Sequence, residues 1–405
     1  LELFIGDGDG ELLLAFLRGV AFFRGVAGGE LMGDSCICVT FSGVHNSAAF
    51  GVESGVKLTG NKHVDSSTSN LNFTLPEGSH VINVMTSTED NVLYREATAD
   101  DKTAVIDIRR NVYDGIDYLE AYYDAFMAAE TITCYVAIFQ KQVVGFCAAM
   151  LLDGGKTFSP RAARVSPMVE GTGVYFALKN YAARQSGAKR EALTASDINP
   201  NIRKESFKNA YKFVLTRKFI RYKIDADVLK SLQIPKLTGP VRQIDRQAFT
   251  EYMTTPVTSG YLFPAGRVII DWVPFRLLPE NFPVLESFEG NKCRIFSSMT
   301  PITPTNGLVT INTMYKTSQL KYHCNIDIYG TKVDSLKDHM LQNLIQIKEA
   351  DCDTTSLIVY TPMDFDTEYL DKLFIEFGLP RNDWIFESLP SENVLELYLY
   401  EKSII

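Results

Sequence analysis

Apolar and polar positions alternate over Val92–Ala97, which predicts a strand, and Thr98-Ala99-Asp100-Asp101 then offers an N-cap with acids in the first helical turn. That helix is expected to run to about Val112, and a second covers Tyr118–Glu130. Two apolar runs, Thr133–Phe139 and Val143–Leu152, flank Gln140-Lys141-Gln142 and predict a tight hairpin. Asp153-Gly154-Gly155 is a turn, followed by a strand through Ala162–Ser166. Apolar residues at 174, 177, 178, 181 and 182 have helical spacing, so Val174–Ser186 reads as a helix that Gly187 stops. A strand at Glu191–Thr194, a helix near Ile202–Tyr211 and a strand at Arg217–Tyr222 complete this half.

The second half repeats the order more loosely. Val268–Pro274, Val309–Met314 and His323–Tyr329 read as strands, Val333–Lys348 as an amphipathic helix, and Ser356–Tyr360 as a strand. A helix at Thr367–Phe377 and a strand at Val394–Tyr400 come next, so an internal duplication is expected. Residues 1–90 fit neither half. From Glu53 to Asn91 they are rich in Ser, Thr, Asn and Gly with little periodicity, which suggests a solvated extension. Three parts result: an N-terminal extension at 1–90, a first domain at 91–224 and a second at 225–405.

The chain has 405 residues, and domains of about 100–200 residues predict more than one. With 46% hydrophobic and 22% charged residues, it can build a core almost throughout. A net charge of −9 gives no general attraction to nucleic acid or anionic membrane. Arg18 and Arg24 interrupt the apolar stretch Leu12–Ala27, which makes a poor signal peptide, and a chain starting at Leu1 suggests an incomplete N-terminus. The seven cysteines are scattered through apolar runs, which points to reduced thiols in a cytoplasmic protein. Cys36-Ile37-Cys38 has the wrong spacing for a zinc knuckle, so no metal is expected.

The most informative stretch is Arg164-Val165-Ser166-Pro167-Met168-Val169-Glu170-Gly171-Thr172-Gly173-Val174, a strand entering a two-glycine loop that opens a helix. Glycine permits close backbone approach, and the first amide hydrogens of the helix add a positive dipole end, so the corner suits a diphosphate. An ordinary strand–helix turn has the same spacing. The loop comes after four strands rather than after the first strand of a βαβ unit, and it lacks Gly-Lys-Ser/Thr, which disfavours dinucleotide and ATP-binding loops.

One strand, two helices, three antiparallel strands and then a glycine loop and helix is the order of the GNAT N-acetyltransferases. The chain resembles the animal histidine N-acetyltransferase family most in Tyr94-Arg95-Glu96-Ala97, Val112–Leu119, Arg164-Val165-Ser166-Pro167 with Gly171-Thr172-Gly173, Leu193–Asp197 and Asp271-Trp272-Val273-Pro274. The resemblance spans about residues 91–405. It implies an α/β (α+β) fold with a mixed, largely antiparallel central sheet flanked by helices, followed by a second, degenerate GNAT-like domain. It further implies acetyl transfer from acetyl-CoA to the α-amine of a small amino acid, histidine first.

Under that resemblance the coenzyme would lie along Arg164, Val165, Ser166, Val169, Glu170, Gly171, Thr172, Gly173 and Val174, with Asn199 and Asn201 on its arm. Met168 and Glu170 stand where the family carries Arg or Gln and often a basic residue, and a carboxylate pointing inward would repel a diphosphate. Lys179, Arg184 and Lys189 are candidate phosphate partners, or a solvated helix face. All five histidines lie outside residues 91–222, so none of the domain's own can be the base. Asp197 is the candidate base, through water, and Tyr211 the acid toward the leaving thiolate; capping and packing are their alternatives. Asp114, Asp117 and Tyr118 would shape the acceptor pocket, and Trp272 and Trp384 would pack. Rival readings are acetylation of another small amine, and a GNAT-fold binding protein that has lost catalysis.

Overall fold

The computed structural model describes residues 92–110, 116–233, 239–281, 293–300, 305–317, 322–350, 354–381 and 394–404, with Val112 and Val284; of residues 1–91 it describes strands alone. Those strands are β1 (Glu2–Asp7), β2 (Ala15–Leu17), β3 (Val20–Gly25), β4 (Cys36–Phe41), β5 (Ser47–Val52), β6 (Leu58–Asn61), β7 (Asn70–Phe73) and β8 (Ile82–Met85). The first six form one sheet and the last two a hairpin. By compactness Leu1–Val92 group with Gly171–Val174, and Leu93–Glu170 with Tyr175–Ile405 form the main unit.

The twelve-stranded sheet of the main unit uses β9 (Leu93–Glu96), β10 (Ile132–Phe139), β11 (Gln142–Leu152), β12 (Thr157–Val165), β13 (Arg190–Ser196) and β14 (Lys212–Asp225) from the first half. The second half gives β15 (Arg242–Ile244), β18 (Arg294–Ser297), β19 (Val309–Tyr315), β20 (Tyr322–Tyr329), β21 (Thr354–Thr361) and β22 (Leu395–Ser403). Strands β16 (Arg267–Ile270) and β17 (Val273–Arg276) make a separate hairpin. The sheet order is β15-β18-β19-β20-β21-β14-β22-β13-β12-β11-β10-β9. Read from both ends, the halves mirror each other, and each lends its last strand to the other. Strand β22 completes the first half beside β13, and β14 completes the second beside β21.

Helices α1 (Lys102–Asp107) and α2 (Leu119–Ala128) cover one face of the first half, and α3 (Val174–Gln185) comes after β12. The remaining helices are α4 (Glu205–Ala210), α5 (Ala226–Ser231), α6 (Arg246–Thr254), α7 (Pro256–Leu262), α8 (Leu336–Glu349) and α9 (Thr367–Glu376). One core joins Val105, Leu119, Tyr123, Phe146 and Met150 to Phe249, Val268 and Ile311, so both halves share it. A second gathers Leu336, Met340 and Leu344 of α8 with Leu370 and Phe374 of α9.

Most expected elements are present with shifted ends. The first helix stops at Asp107 rather than Val112, because Val105, Ile106 and Ile108 are β-branched and weak helix formers. It starts where expected: the Thr98 amide donates to Asp101 Oδ2 at 2.7 Å, and Arg95 clamps Asp101 at 2.7 and 2.8 Å. Strand β12 begins at Thr157, five residues earlier than expected, since the left-handed Asp153, Gly154 and Gly155 turn the chain straight back along β11. Among the described residues, no helix is long and apolar enough to cross a membrane.

Candidate active site

Strands β12 and β13 run parallel but pair only at Thr157↔Arg190 and Phe158↔Glu191. Beyond that they part. Pro160, two residues past the last pair, has no amide hydrogen for a ladder. A register shift opposite Phe146–Ala148, with Ala162 at φ 50°, bends β12 further. The second half has the same parallel pair, β20 and β21, closed over six pairs from Tyr322↔Thr355 to Asp327↔Tyr360. Only the first half has a split.

The split exposes backbone in a definite direction. Ser166 N donates to Val144 O at 2.8 Å, while Val165 stands opposite Gly145. In an antiparallel ladder this makes Val165 a non-hydrogen-bonded position, so its N–H and C=O point away from β11, toward the gap.

At the root of the split lies a buried charge cluster. Lys179 of α3 donates to Glu191 at 2.6 Å and to the Tyr211 oxygen at 2.5 Å, while the Tyr211 hydroxyl donates to the same carboxylate oxygen at 2.6 Å. Lys402 approaches the other Glu191 oxygen at 3.1 Å. Burial lowers the Lys179 pKa against the pull of Glu191, and burial with Glu191 raises that of Tyr211. Tyr211 also stacks on Phe207, ring centroids 4.4 Å apart. Lys179, a candidate phosphate partner by sequence, faces inward instead; Arg184 and Lys189 are exposed.

The open end of β13 carries Asp197. Its amide donates to Glu396 O at 3.0 Å, and its carboxylate Oδ1 is buried with no hydrogen-bond partner among the described residues. Burial, and secondarily the Glu396 charge, raise its pKa. Tyr398 beside it donates its hydroxyl to Glu396. Glu396 and Tyr398 come from the far end of the chain, and nothing local in the sequence ties them to Asp197. Asn199 caps the turn Pro200–Arg203, accepting from Asn201 N at 3.0 Å.

Arg164 and Asp117 meet in a two-bond ion pair, both contacts 3.0 Å, with their side chains 2% and 8% exposed. Asp117 also accepts from Leu119 N at 3.1 Å, at the start of α2. Both residues therefore brace the frame with side chains committed to each other. In the loop, the turn Pro167–Val169 uses the amides of Met168, Val169 and Glu170 internally. Glu170 pairs at the surface with Arg109, 3.0 Å away, which gives its charge a partner. Gly171 and Gly173 take φ of 78° and 89°, a backbone region that favours glycine, and Val174 begins α3.

On the α2 face of β12 lies a cavity of about 60 Å³, lined by Tyr118, Tyr122, Phe126 and Tyr315, with Arg161 and Asp271 as its charged members. Tyr118 lines this cavity, while Asp114 falls outside the described residues, as does Trp384. Arg161 donates to Asp271 O and Oδ2, each at 2.8 Å, and Thr194 of β13 donates to Trp272 O at 2.6 Å. The β16–β17 turn thereby bridges the parted strands. In sequence Val268–Pro274 reads as one strand because Asp271 alone is a weak turn signal and Trp272, which joins it at positive φ (48° and 66°), is not a residue that announces a turn. Trp272 packs as expected, edge-on to Phe219. No group of three His, Cys, Asp or Glu fit to hold a metal occurs among the described residues.

A family model described as "Histidine N-acetyltransferase, C-terminal" matches residues 236–361. The histidine N-acetyltransferase of Scomber australasicus is 24% identical over 264 residues, 61% of this chain and 77% of its own. That of Xenopus tropicalis is 24% identical over 59% of this chain and 76% of its own. Together these identify an acetyltransferase resembling the animal histidine N-acetyltransferases. The probable N-acetyltransferase 16 of Homo sapiens is 22% identical, over 61% of this chain and 70% of its own. Among solved structures, an acetyltransferase described as putative from Pyrococcus horikoshii aligns at TM-score 0.46 with 13% identity, covering 81% of this chain and 94% of its own. A tandem GNAT protein of clavulanic acid biosynthesis gives 0.44 with 12% identity, over 77% and 98%.

Proposed function

We propose that this acetyltransferase moves the acetyl group of acetyl-CoA to the α-amine of a free amino acid, histidine in the first instance. The observation that carries the reading is the β12/β13 split. A pantetheine arm is an extended chain with two amides, and an open strand edge offers it a ladder of complementary donors and acceptors. The residues fit. The outward N–H of Val165 suits the thioester oxygen as charge gathers on it, in the manner of an oxyanion hole. The amide hydrogens of Gly171–Val174 are our choice for the diphosphate, and Glu170 is turned to a surface pair with Arg109.

In this reading Asp197 takes the proton of the attacking amine through water, its buried oxygen and raised pKa making it a stronger base than an ordinary carboxylate. The amine bonds to the thioester carbon, the carbon–sulfur bond breaks, and the thiolate is protonated by Tyr211. Lys179, already donating to the Tyr211 oxygen, stabilises the phenolate that results. The preference for histidine is taken from the relatives' names. A reducing, cytoplasmic setting belongs to the same proposal, with Cys134, Cys147, Cys293 and Cys324 as free thiols.

The test is thiol release by the full chain with acetyl-CoA and a panel of amino acids. Histidine should be the best acceptor. No release with any acceptor, with no thermal stabilisation by millimolar acetyl-CoA, would overturn the enzyme reading; stabilisation without release would favour a binding protein.

A further inference from the structure

The cavity beside Tyr118 contains polar chemistry that the acetyl-transfer steps leave unused. Its walls are aromatic, yet at its floor a guanidinium and a carboxylate are held together away from water. A buried ion pair costs desolvation and is a poor choice for stability alone. Two further details set this one apart. The guanidinium uses both terminal nitrogens on Asp271, while its Nε–H is buried with no partner among the described residues. An unpaired donor in a buried arginine calls for an acceptor. The cation also lies over the Tyr118 ring, 5.2 Å from its centre, which fixes its plane.

Asp271 is held in turn by a chain of hydrogen bonds from the second half. Asn325 Nδ2 donates to Asp271 Oδ1 at 2.9 Å, and Asn325 Oδ1 meets His323 Nε2 at 3.0 Å. Because that oxygen can only accept, His323 carries its proton on Nε2. Its bare Nδ1 then accepts from Ser356, 2.6 Å away. Burial lowers the His323 pKa to about 4, so the ring stays neutral and the chain keeps one polarity at physiological pH.

We propose that Arg161 anchors the carboxylate of the acceptor, with Asp271 as the counter-charge that aims it, so the cavity selects free amino acids over amines and peptides lacking a free carboxylate there. This rests on the acetyl-transfer reading and sharpens it. An amino acid presents an anion and a cation on one carbon, and the floor presents the two opposite charges side by side. The acceptor carboxylate takes the Arg161 Nε–H, its ammonium is drawn toward Asp271 before losing a proton, and a flat side chain lies among Tyr122, Phe126 and Tyr315.

The experiment compares histidine with histamine, which differs only by the carboxylate, in the wild-type chain and in Arg161→Gln. Wild type should favour histidine by roughly ten- to a hundredfold in kcat/KM. Arg161→Gln should remove that preference, raising the KM for histidine at least about tenfold more than that for histamine. An equal loss for both acceptors would overturn the anchor. Since the single change leaves Asp271 buried alone, Arg161→Gln with Asp271→Asn is the companion; it removes both charges, and the same discrimination should vanish. Calorimetric binding of histidine and histamine reads the anchor without turnover. If wild type binds histidine better than histamine but acetylates neither, the acetyl-transfer reading fails while the anchor stands. If it binds both alike, the anchor fails.

Discussion

Asp197 ends β13 with one carboxylate oxygen buried and unpaired and a second acid, Glu396, close by. Both raise the pH at which it gives up its proton. A base works only when deprotonated, so kcat/KM should fall as pH drops through that raised pKa. Asp197→Asn should lose about 10²-fold in kcat and erase the acid limb of the profile; an unchanged limb, read from pH–rate curves, would remove Asp197 from the role. Tyr211→Phe should lower kcat with little change in KM, since its hydroxyl faces Glu191 and Lys179. A full-rate Phe variant in steady-state assays would assign that buried cluster to structure alone.

At the scale of elements, α3 is held close to the sheet by a residue without a side chain. Gly145 in β11 lies under α3, and a Cβ there would come within 3.2 Å of Ala137 Cβ and 3.3 Å of Leu178 Cδ2. Gly145→Val should push α3 outward, cost about 1–3 kcal/mol of stability by overpacking, and raise the KM for acetyl-CoA more than that for the acceptor. Chemical denaturation and steady-state kinetics check the two halves of that statement. The contrast between β12–β13 and β20–β21 belongs to the same scale. The two pairs occupy equivalent places, and the closed one leaves no gap for a coenzyme arm.

For the whole molecule, the exchanged strands β14 and β22 make neither half complete without the other. A chain ending at residue 393 lacks the strand between β13 and β14, and should lose cooperative folding in both halves. Residues 93–405 should accordingly unfold in one calorimetric transition; two well-separated transitions would contradict it. Acid sensitivity is also a property of the assembled sheet. Burial lowers the pKa of His323 to about 4 and that of His339 to about 3, whereas unfolded histidines titrate near 6.5. Between those values the unfolded chain binds protons that the folded chain refuses. Stability is therefore full above about pH 6.5 and declines below it, by about 1.4 kcal/mol per pH unit for each histidine, until about pH 4 for His323 and about pH 3 for His339. Urea midpoints at pH 7 and pH 5 measure the slope.

What the sequence alone determined was local. The 3.6-residue spacing of α3, the apolar runs of β10 and β11, and the cap at Thr98–Asp101 are each encoded within a dozen residues, and all three formed. The two-glycine turn into α3 was legible for the same reason, with Gly171 and Gly173 at positive φ and the helix beginning at Val174. What only the tertiary structure decided was everything that depends on distant partners. Lys179 read as a phosphate partner or a solvated face and Arg164 as part of the coenzyme lining, but a buried cation settles on the nearest carboxylate, and Glu191 and Asp117 supply it from 12 and 47 residues away. Arg161 gave no signal because its role comes from Asp271, 110 residues on, in a turn completed by a tryptophan, which rarely makes one. Strand exchange was invisible for a similar reason. A strand's own sequence fixes its alternation, whereas the neighbour it pairs with is chosen by packing of the whole sheet.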